Sequence, residues 1–511
     1  MKNKIKKEFS RSKNYFIFAL LINLYVFIPL FFCQPTMPSS IATVVSILIL
    51  FLFSKISKNI FIMLSLLTLT VTSIISHIAW HWGSQNLSAR IEVAALSPGY
   101  ESKEYLMNFL DKSDLMILFY FIIGLYLIYK LAIGTKHYYK IIRIMSLFSI
   151  SIILVLMIYS DRIKSLRPYV FIKQYTNIDN LEKILARKVY LKNIKHDIVQ
   201  SQNNLKYDKI VIIMGESANK HHMSAYGYDI KTTPFLDGLL KNKNSFKYNV
   251  IAPANQTRYA IPLEFTDATV EKFDDFYKEK SIVTTFKEYG YKTYWISNQA
   301  LVGQHENAIA TILHEADITK VANTIYHEIK KDTTTILKSL DDIDTKSESK
   351  EVFFFHLIGS HIYYKERYFE HDALIKNAKN VIEEYDNTIY NTDKLLKQLY
   401  EKFNNSSKLL FVYLSDHGEI VSISKTGHSF FPAYQNEYDI PLIIHSSEEN
   451  EKLNKLKKLN QLSVFNMESF NTLIKYIVGM DANVSDISTS TTIFAVEPKN
   501  IIDYKSIKRY K

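Results

Sequence analysis

The sequence predicts two fold classes in one chain: an N-terminal five-helix transmembrane domain (residues 1–160) and a C-terminal α/β domain with a mostly parallel sheet between helical layers (residues 206–511). Three observations carry this. The 511 residues are too many for one ordinary core, so at least two domains are expected. The long apolar runs are confined to residues 14–159. From about Lys206 onward, continuous apolar runs alternate with helical patterns, as in a parallel sheet buried on both faces.

Five apolar stretches form the first half: Asn14–Cys33, Ser40–Phe53, Asn59–Trp80, Leu115–Gly134 and Ile141–Tyr159. A span takes about 20 apolar residues, so the short second stretch draws in its flanks. The first stretch is long, lacks a small-residue cleavage site and is followed by more spans, which argues against a cleaved signal peptide. Lys2, Lys4, Lys6, Lys7, Arg11 and Lys13 precede the first span, and Lys55, Lys58, Lys136 and Lys140 fill two alternate loops. The intervening loops are uncharged (34–39) or on balance acidic (81–114). The positive-inside rule places the N-terminus in the cytoplasm and, after an odd number of spans, everything beyond Tyr159 on the far side. In a bacterium that side is the periplasm or the cell exterior, and the chain is expected to be a multi-pass membrane protein. The spans are expected either to handle substrate or only to anchor. Residues 161–205, amphipathic and rich in Lys, read as a linker along the membrane surface.

The formal net charge of +11 would suit either nucleic acid or an anionic membrane, and the position of the apolar runs favours the membrane over nucleic acid. Cys33 is the sole cysteine, so intramolecular disulfides and cysteine-based zinc sites are excluded. Any metal must be held by oxygen and imidazole nitrogen.

In the second half, Lys209–Met214, Lys292–Ser297, Val352–Leu357, Lys408–Leu414 and Ile440–His445 read as buried strands, with helices over Ser281–Tyr289 and Ile375–Phe403. There is no internal repeat, and residues 341–350 read as a solvated loop. Ligands of such sheets gather beyond the carboxyl ends of the strands. The strand ends deliver Gly215-Glu216-Ser217, then His356 with His361, then Asp416-His417-Gly418-Glu419 followed by His428. Two carboxylates and an imidazole without cysteine suit catalytic zinc with an open position, and manganese less well. Singly, each residue has a bland reading: a lone His is more often surface or satisfied core, and Gly-Glu-Ser alone is a turn. Their joint occurrence at several strand ends is what points to a site. Two hydroxyls are candidate nucleophiles. Ser217 adjoins Glu216, and Thr257, in "NQTRYAIP", stands where a helix could begin. A helix start favours a bound phosphate, although threonine there also serves as a plain N-cap. Either hydroxyl needs a base or metal to activate it.

The motifs "GESANKHHMSAYGY", "TTPFL", "NQTRYAIP", "YWISNQ", "FFHLIGSHIYYKERY", "YDNTIYNTDKLL", "YLSDHGE" and "GHS" together resemble the phosphoethanolamine transferases of Gram-negative bacteria. These are membrane members of the alkaline phosphatase/sulfatase-like superfamily. The resemblance extends over nearly the whole chain. It implies zinc held by Glu216, Asp416 and His417, with Thr257 as nucleophile and metal ligand rather than Ser217. It implies that His356, His361 and His428 bind substrate phosphate or a second zinc, His361 and His428 also serving as acid or base. It further implies phosphatidylethanolamine as donor, a covalent phosphoethanolamine-threonine intermediate, and an envelope acceptor such as lipopolysaccharide lipid A or a core sugar. Gln299 of "SNQ" and Glu104 of the outer loop "GYESKEYLMNFL" are expected to bind substrate. The lipid A-modifying members carry disulfides that this chain cannot form, which leaves the acceptor open. A glycerol-phosphate transferase resembling lipoteichoic acid synthase and a non-catalytic membrane scaffold are the alternatives.

Overall fold

The structure, a computed structural model, describes residues 21–22, 25, 53, 57–82, 112–133, 178–193, 205–299, 308–321, 331–405 and 408–510. Glu104 and Cys33, and most of the first, second and fifth apolar stretches, lie outside these residues. The chain forms two compact units, one of Met1–Ser97 with Tyr105–Ile178 and one of Pro98–Glu104 with Asp179–Lys511.

In the first unit, helices α1 (Lys58–Trp82) and α2 (Lys112–Ile133) coincide with the third and fourth apolar stretches. Met63, Leu67, Leu115, Met116, Phe119 and Ile122 are exposed on them. Tyr120 stacks on Tyr25, whose hydroxyl donates to the Tyr120 carbonyl at 2.8 Å. Among the described residues, no helix is long and apolar enough to cross a membrane.

Helix α3 (Ile178–Asn193), inside the stretch expected to be a linker, belongs to the second unit from Asp179 onward. Its Arg187 is fully buried, donating to Glu315 at 2.7 Å and to the carbonyls of Phe276 and Glu279. A buried guanidinium requires such partners, because an unpaired charge there would be expensive.

The core of this unit is a seven-stranded sheet: β1 (Lys209–Gly215), β2 (Ser245–Lys247), β3 (Lys292–Ser297), β4 (Ile318–Val321), β5 (Glu351–His356), β6 (Leu409–Ser415) and β7 (Leu442–Ser446), in the order β2-β7-β6-β1-β5-β3-β4. Neighbours from β6 through β4 pair in parallel. The expected strand at Ile440–His445 begins two residues later and runs antiparallel to β6. An apolar run reports burial and is blind to strand direction. Alternate residues of β1 enter opposite cores, Ile210, Ile212 and Met214 on one face and Val211 and Ile213 on the other, so every residue of the strand is covered. That explains continuous rather than alternating hydrophobicity. Helix α4 (Val381–Phe403) starts six residues later than the expected 375, where the Asn380 side chain caps the amides of Ile382 and Glu383.

The register decides where the chemistry lies. Gly215 pairs with Ser415, Met214 with His356 and His356 with Ser297. Four central strands therefore end at one level, and the residues that follow them emerge together.

Candidate active site

Glu216, the first residue beyond β1, is fully buried, with its carboxylate turned toward Thr257 and His417. Gly359 sits over it with φ of 48°, and a Cβ there would stand 2.8 Å from both the Glu216 amide nitrogen and carbonyl oxygen. Only glycine suits that left-handed, crowded position. Asp416 and His417 follow β6. Asp416 Oδ1 accepts from the His417 amide at 2.7 Å and the Ser217 amide at 3.2 Å, which aims Oδ2 into the cluster. His417 Nδ1 lies 2.9 Å from the Gly418 carbonyl, a bond in which Nδ1 is the donor, so Nε2 faces inward and is the nitrogen that a cation would take once its proton leaves. His417 Nε2 is 3.2 Å from Glu216 Oε1 and 3.5 Å from Asp416 Oδ2.

Thr257 reaches the same point from elsewhere. It opens the nine-residue helix that runs over Thr257–Phe265. Its hydroxyl donates to Glu216 Oε2 at 3.1 Å and lies 3.2 Å from His417 Nε2. The N-cap reading is corrected: Gln256 occupies the cap position, and the Thr257 hydroxyl contacts the cluster. Ser217, the other hydroxyl, bonds Glu216 Oε1 at 2.9 Å but is fully buried, whereas Thr257 is half-buried.

The electrostatics follow from two carboxylates and an imidazole buried side by side. Burial opposes ionisation of Glu216, but His417 beside it outweighs this and holds the carboxyl well below its ordinary value. Burial and then the charge on Glu216 push Asp416 up to about 8. Burial opposes charging of His417, yet Asp416 and Glu216 lift it to about 10.

The remaining expected residues form a second tier. Gln299 Nε2 donates to Glu216 Oε2 and to the Leu357 carbonyl, both at 2.9 Å, so it fixes the carboxylate. The rings of His417 and His428 are 4.2 Å apart, and those of His428 and His361 6.2 Å. Burial pushes His361 down to about 4 and His428 to about 3, so both are neutral imidazoles at neutral pH. His356, at the end of β5, is likewise pushed down by burial to about 4. One ring nitrogen on each of these three histidines is buried without a hydrogen-bond partner. Glu419 was not expected. It is fully buried with neither oxygen hydrogen-bonded, and Oε1 lies 3.9 Å from His428 Nδ1. Its only sequence signal is its place directly after Asp-His-Gly.

A family profile described as Sulfatase matches residues 208–479, more than half of the chain. The chain belongs to the sulfatase family. The chain is similar to the phosphoethanolamine transferase EptC of Escherichia coli strain K12, 26% identical over 314 residues, covering 57% of this chain and 54% of that one. The phosphoethanolamine transferase OpgE of the same strain is 27% identical over 256 residues, covering 48% and 46%. The chain spans about half the length of the curated relatives it matches. Among solved structures, the integral membrane lipooligosaccharide phosphoethanolamine transferase A from Neisseria meningitidis aligns over 95% of this chain and 97% of its own, with a TM-score of 0.60 at 16% identity. The C-terminal periplasmic domain of EptC from Escherichia coli, in complex with Zn, aligns over 60% and 95%, with a TM-score of 0.51 at 23% identity. These likenesses show a shared fold.

The sulfatase-family domain has residues that fit a divalent cation. Glu216, Asp416 and His417 each offer a ligand atom within 4.8 Å of the others. Asp416 Oδ2 is buried with no hydrogen-bond partner, and a buried carboxylate oxygen without one calls for a charge.

Asp332 holds the loop that carries His361. Its Oδ1 accepts from the Ile358 amide at 3.1 Å and from Asn298 Nδ2 at 2.8 Å, and its Oδ2 accepts from the Gly359 amide at 2.8 Å. Asp332→Ala would strand these buried donors and is expected to cost roughly 2–4 kcal/mol, measured by chemical denaturation. A loss below about 0.5 kcal/mol would mean that the loop holds itself.

Proposed function

We propose that this protein transfers phosphoethanolamine from phosphatidylethanolamine to an envelope acceptor, lipopolysaccharide lipid A or a core sugar, through a covalent intermediate on Thr257. One observation carries the reading: a half-buried threonine hydroxyl at a helix start stands 3.1 Å from Glu216 and 3.2 Å from His417, inside a cluster built for a cation. The names of the relatives support the donor group, and the likeness to a zinc-bound domain supports zinc as the cation.

Glu216, Asp416 and His417, with Thr257, would hold the zinc. When bound, it lowers the hydroxyl pKa and screens the phosphoryl oxygens. The residues then divide the work. Glu216 and His417 orient the Thr257 oxygen toward phosphorus, and Gln299 keeps Glu216 from turning. The free amides of the helix start favour the phosphate charge. The hydroxyl attacks phosphorus in line, diacylglycerol leaves, and the phosphoethanolamine rests on Thr257. An acceptor hydroxyl or phosphate then displaces it. His361 and His428, neutral at neutral pH, can exchange protons with the leaving and entering oxygens. Two in-line displacements give net retention at phosphorus.

The membrane half of the proposal is five spans with a cytoplasmic N-terminus and a periplasmic catalytic domain. It rests on the apolar runs and charge pattern of the sequence, on the apolar side chains exposed on α1 and α2, and on the likeness to an integral membrane protein over nearly the whole chain. Such an anchor would hold the site at the bilayer surface, where the donor headgroup lies. Of the expected linker, residues 161–177 would lie between the two domains, α3 being part of the second unit, and Glu104 would lie near the headgroup.

The test is a strain comparison. Mass spectrometry of envelope glycolipids should show one component without its phosphoethanolamine both in a deletion strain and in a Thr257→Ala strain. Its retention in the Thr257→Ala strain would remove Thr257 as nucleophile.

Zinc affinity should depend on pH. In the metal-free site Asp416 holds its proton below about 8 and His417 below about 10, so zinc must displace up to two protons near neutrality. Affinity is therefore expected to rise with pH, roughly ten- to a hundredfold per unit between about 6 and about 8. Calorimetry in buffers of different ionisation enthalpy would measure the proton release, and an affinity independent of pH would contradict this ligand set.

A further inference from the structure

Glu437 lies outside the cation cluster, is fully buried, and is joined to three of the segments that build the site. Its Oε1 accepts from Asn255 Nδ2 and from the Phe430 amide, both at 2.9 Å, and its Oε2 accepts from the Tyr434 amide at 2.8 Å. Asn255 stands two residues before Thr257, and Phe430 two residues after His428. The Glu437 carbonyl also accepts from the Gly418 amide at 2.9 Å, one residue beyond His417. A Cβ at Gly418 would collide with the Asn436 carbonyl, so the two backbones meet there without room for a side chain. Asn255 is itself fixed: its Oδ1 accepts from the Val496 amide at 2.9 Å, and its carbonyl accepts from the Ser429 hydroxyl at 3.3 Å. It therefore cannot turn its amide over without stranding the Val496 N–H.

We propose that Glu437 is a positioning residue that locks the Thr257 loop and the His428 turn into one register, so that nucleophile and imidazole keep their spacing through both transfer steps. The physical reason is donor count. One carboxylate accepts three N–H groups that belong to two otherwise separate loops, and no neutral side chain of that size can accept them all. Glutamine offers a single acceptor oxygen, and its amide would face at least one of the three donors. Misplacing a reacting group by about 1 Å costs about 10²-fold in rate. The inference rests on the transfer reaction proposed above, and its test is arranged so that the two can fail separately.

The full chain in detergent is assayed with the p-nitrophenyl ester of phosphoethanolamine, and amide exchange is followed in parallel. Glu437→Gln is expected to lower kcat by about 10- to 100-fold with KM within about twofold and zinc content unchanged. It should also speed exchange at Phe430, Tyr434 or both, leaving Ile212 and Val412 in the sheet protected. Asn255→Asp, which sets two carboxylates face to face, should lose kcat as well. Adding Glu437→Gln to it should restore at least about tenfold, because the amide can then donate to the new acid. That rescue also decides the matter should Glu437→Gln alone fold poorly. Unchanged exchange at both amides, or a double variant no better than Asn255→Asp, would overturn the proposal. If the wild-type chain does not turn over the ester, the transfer reading fails, and the exchange data alone still decide whether Glu437 joins the two loops.

Discussion

Thr257→Ala is expected to abolish headgroup transfer, with turnover falling by roughly 10³-fold or more, while the protein stays folded and still takes up zinc. The geometry separates these outcomes. Thr257 contributes one hydroxyl to the cluster, whereas Glu216, Asp416 and His417 supply the charge and the lone pairs that hold a cation. Thr257 is only partly buried at a helix start, so truncating it is expected to open little buried space. Thr257→Ser keeps the hydroxyl and should retain measurable transfer. Ser217→Ala is the companion control. That hydroxyl is fully buried against Glu216, so its loss should perturb stability or zinc affinity more than it perturbs the attacking group. Transfer that survives Thr257→Ala but not Ser217→Ala would reverse the assignment. Donor consumption and diacylglycerol release measure both.

Asp416→Asn, or removal of metal from the native protein by a chelator, should have an effect of similar size by a different route. Asn offers a neutral oxygen where Asp416 offers a buried charge, and zinc affinity is expected to fall by roughly 10²-fold or more. Ligand binding to the folded state stabilises it by about 2.7 kcal/mol at 100-fold excess over Kd. Native protein should therefore show a zinc-dependent rise in melting temperature, and Asp416→Asn should show little or none at the same zinc concentration. The chelated native protein should recover activity on adding zinc back, and the variant should not. Full activity in chelated protein with no residual metal by elemental analysis would contradict a cation-dependent site.

Much of this site was legible because the sheet is parallel. Such a sheet places the ends of its strands at one level, so Glu216, His356 and Asp416 could be expected to converge from their positions alone. The short edge strands Ser245–Lys247 and Ile318–Val321 were not expected, since three or four residues carry too little periodicity to separate from loop. The direction of Leu442–Ser446 was hidden for the reason given above. Glu419 and Asp332 were missed for a common cause. An acidic residue in a polar stretch, as Asp332 is, or just past a metal motif, as Glu419 is, reads as solvated, and only the fold reveals that each is buried. Glu437 carried even less signal, because its three donors come from residues 255, 430 and 434, and their meeting is a tertiary fact. The hydrogen bond from Gln299 to Glu216 is likewise a tertiary contact that spacing along the chain does not encode.

The most direct measurement is the mass of the full-length protein after brief exposure to phosphatidylethanolamine without acceptor, followed by peptide mapping. The account predicts an added mass of one phosphoethanolamine on the peptide containing Thr257, absent from Thr257→Ala and discharged when acceptor is supplied. An adduct on any other residue, or steady donor turnover with no adduct in a rapidly quenched sample, would contradict it.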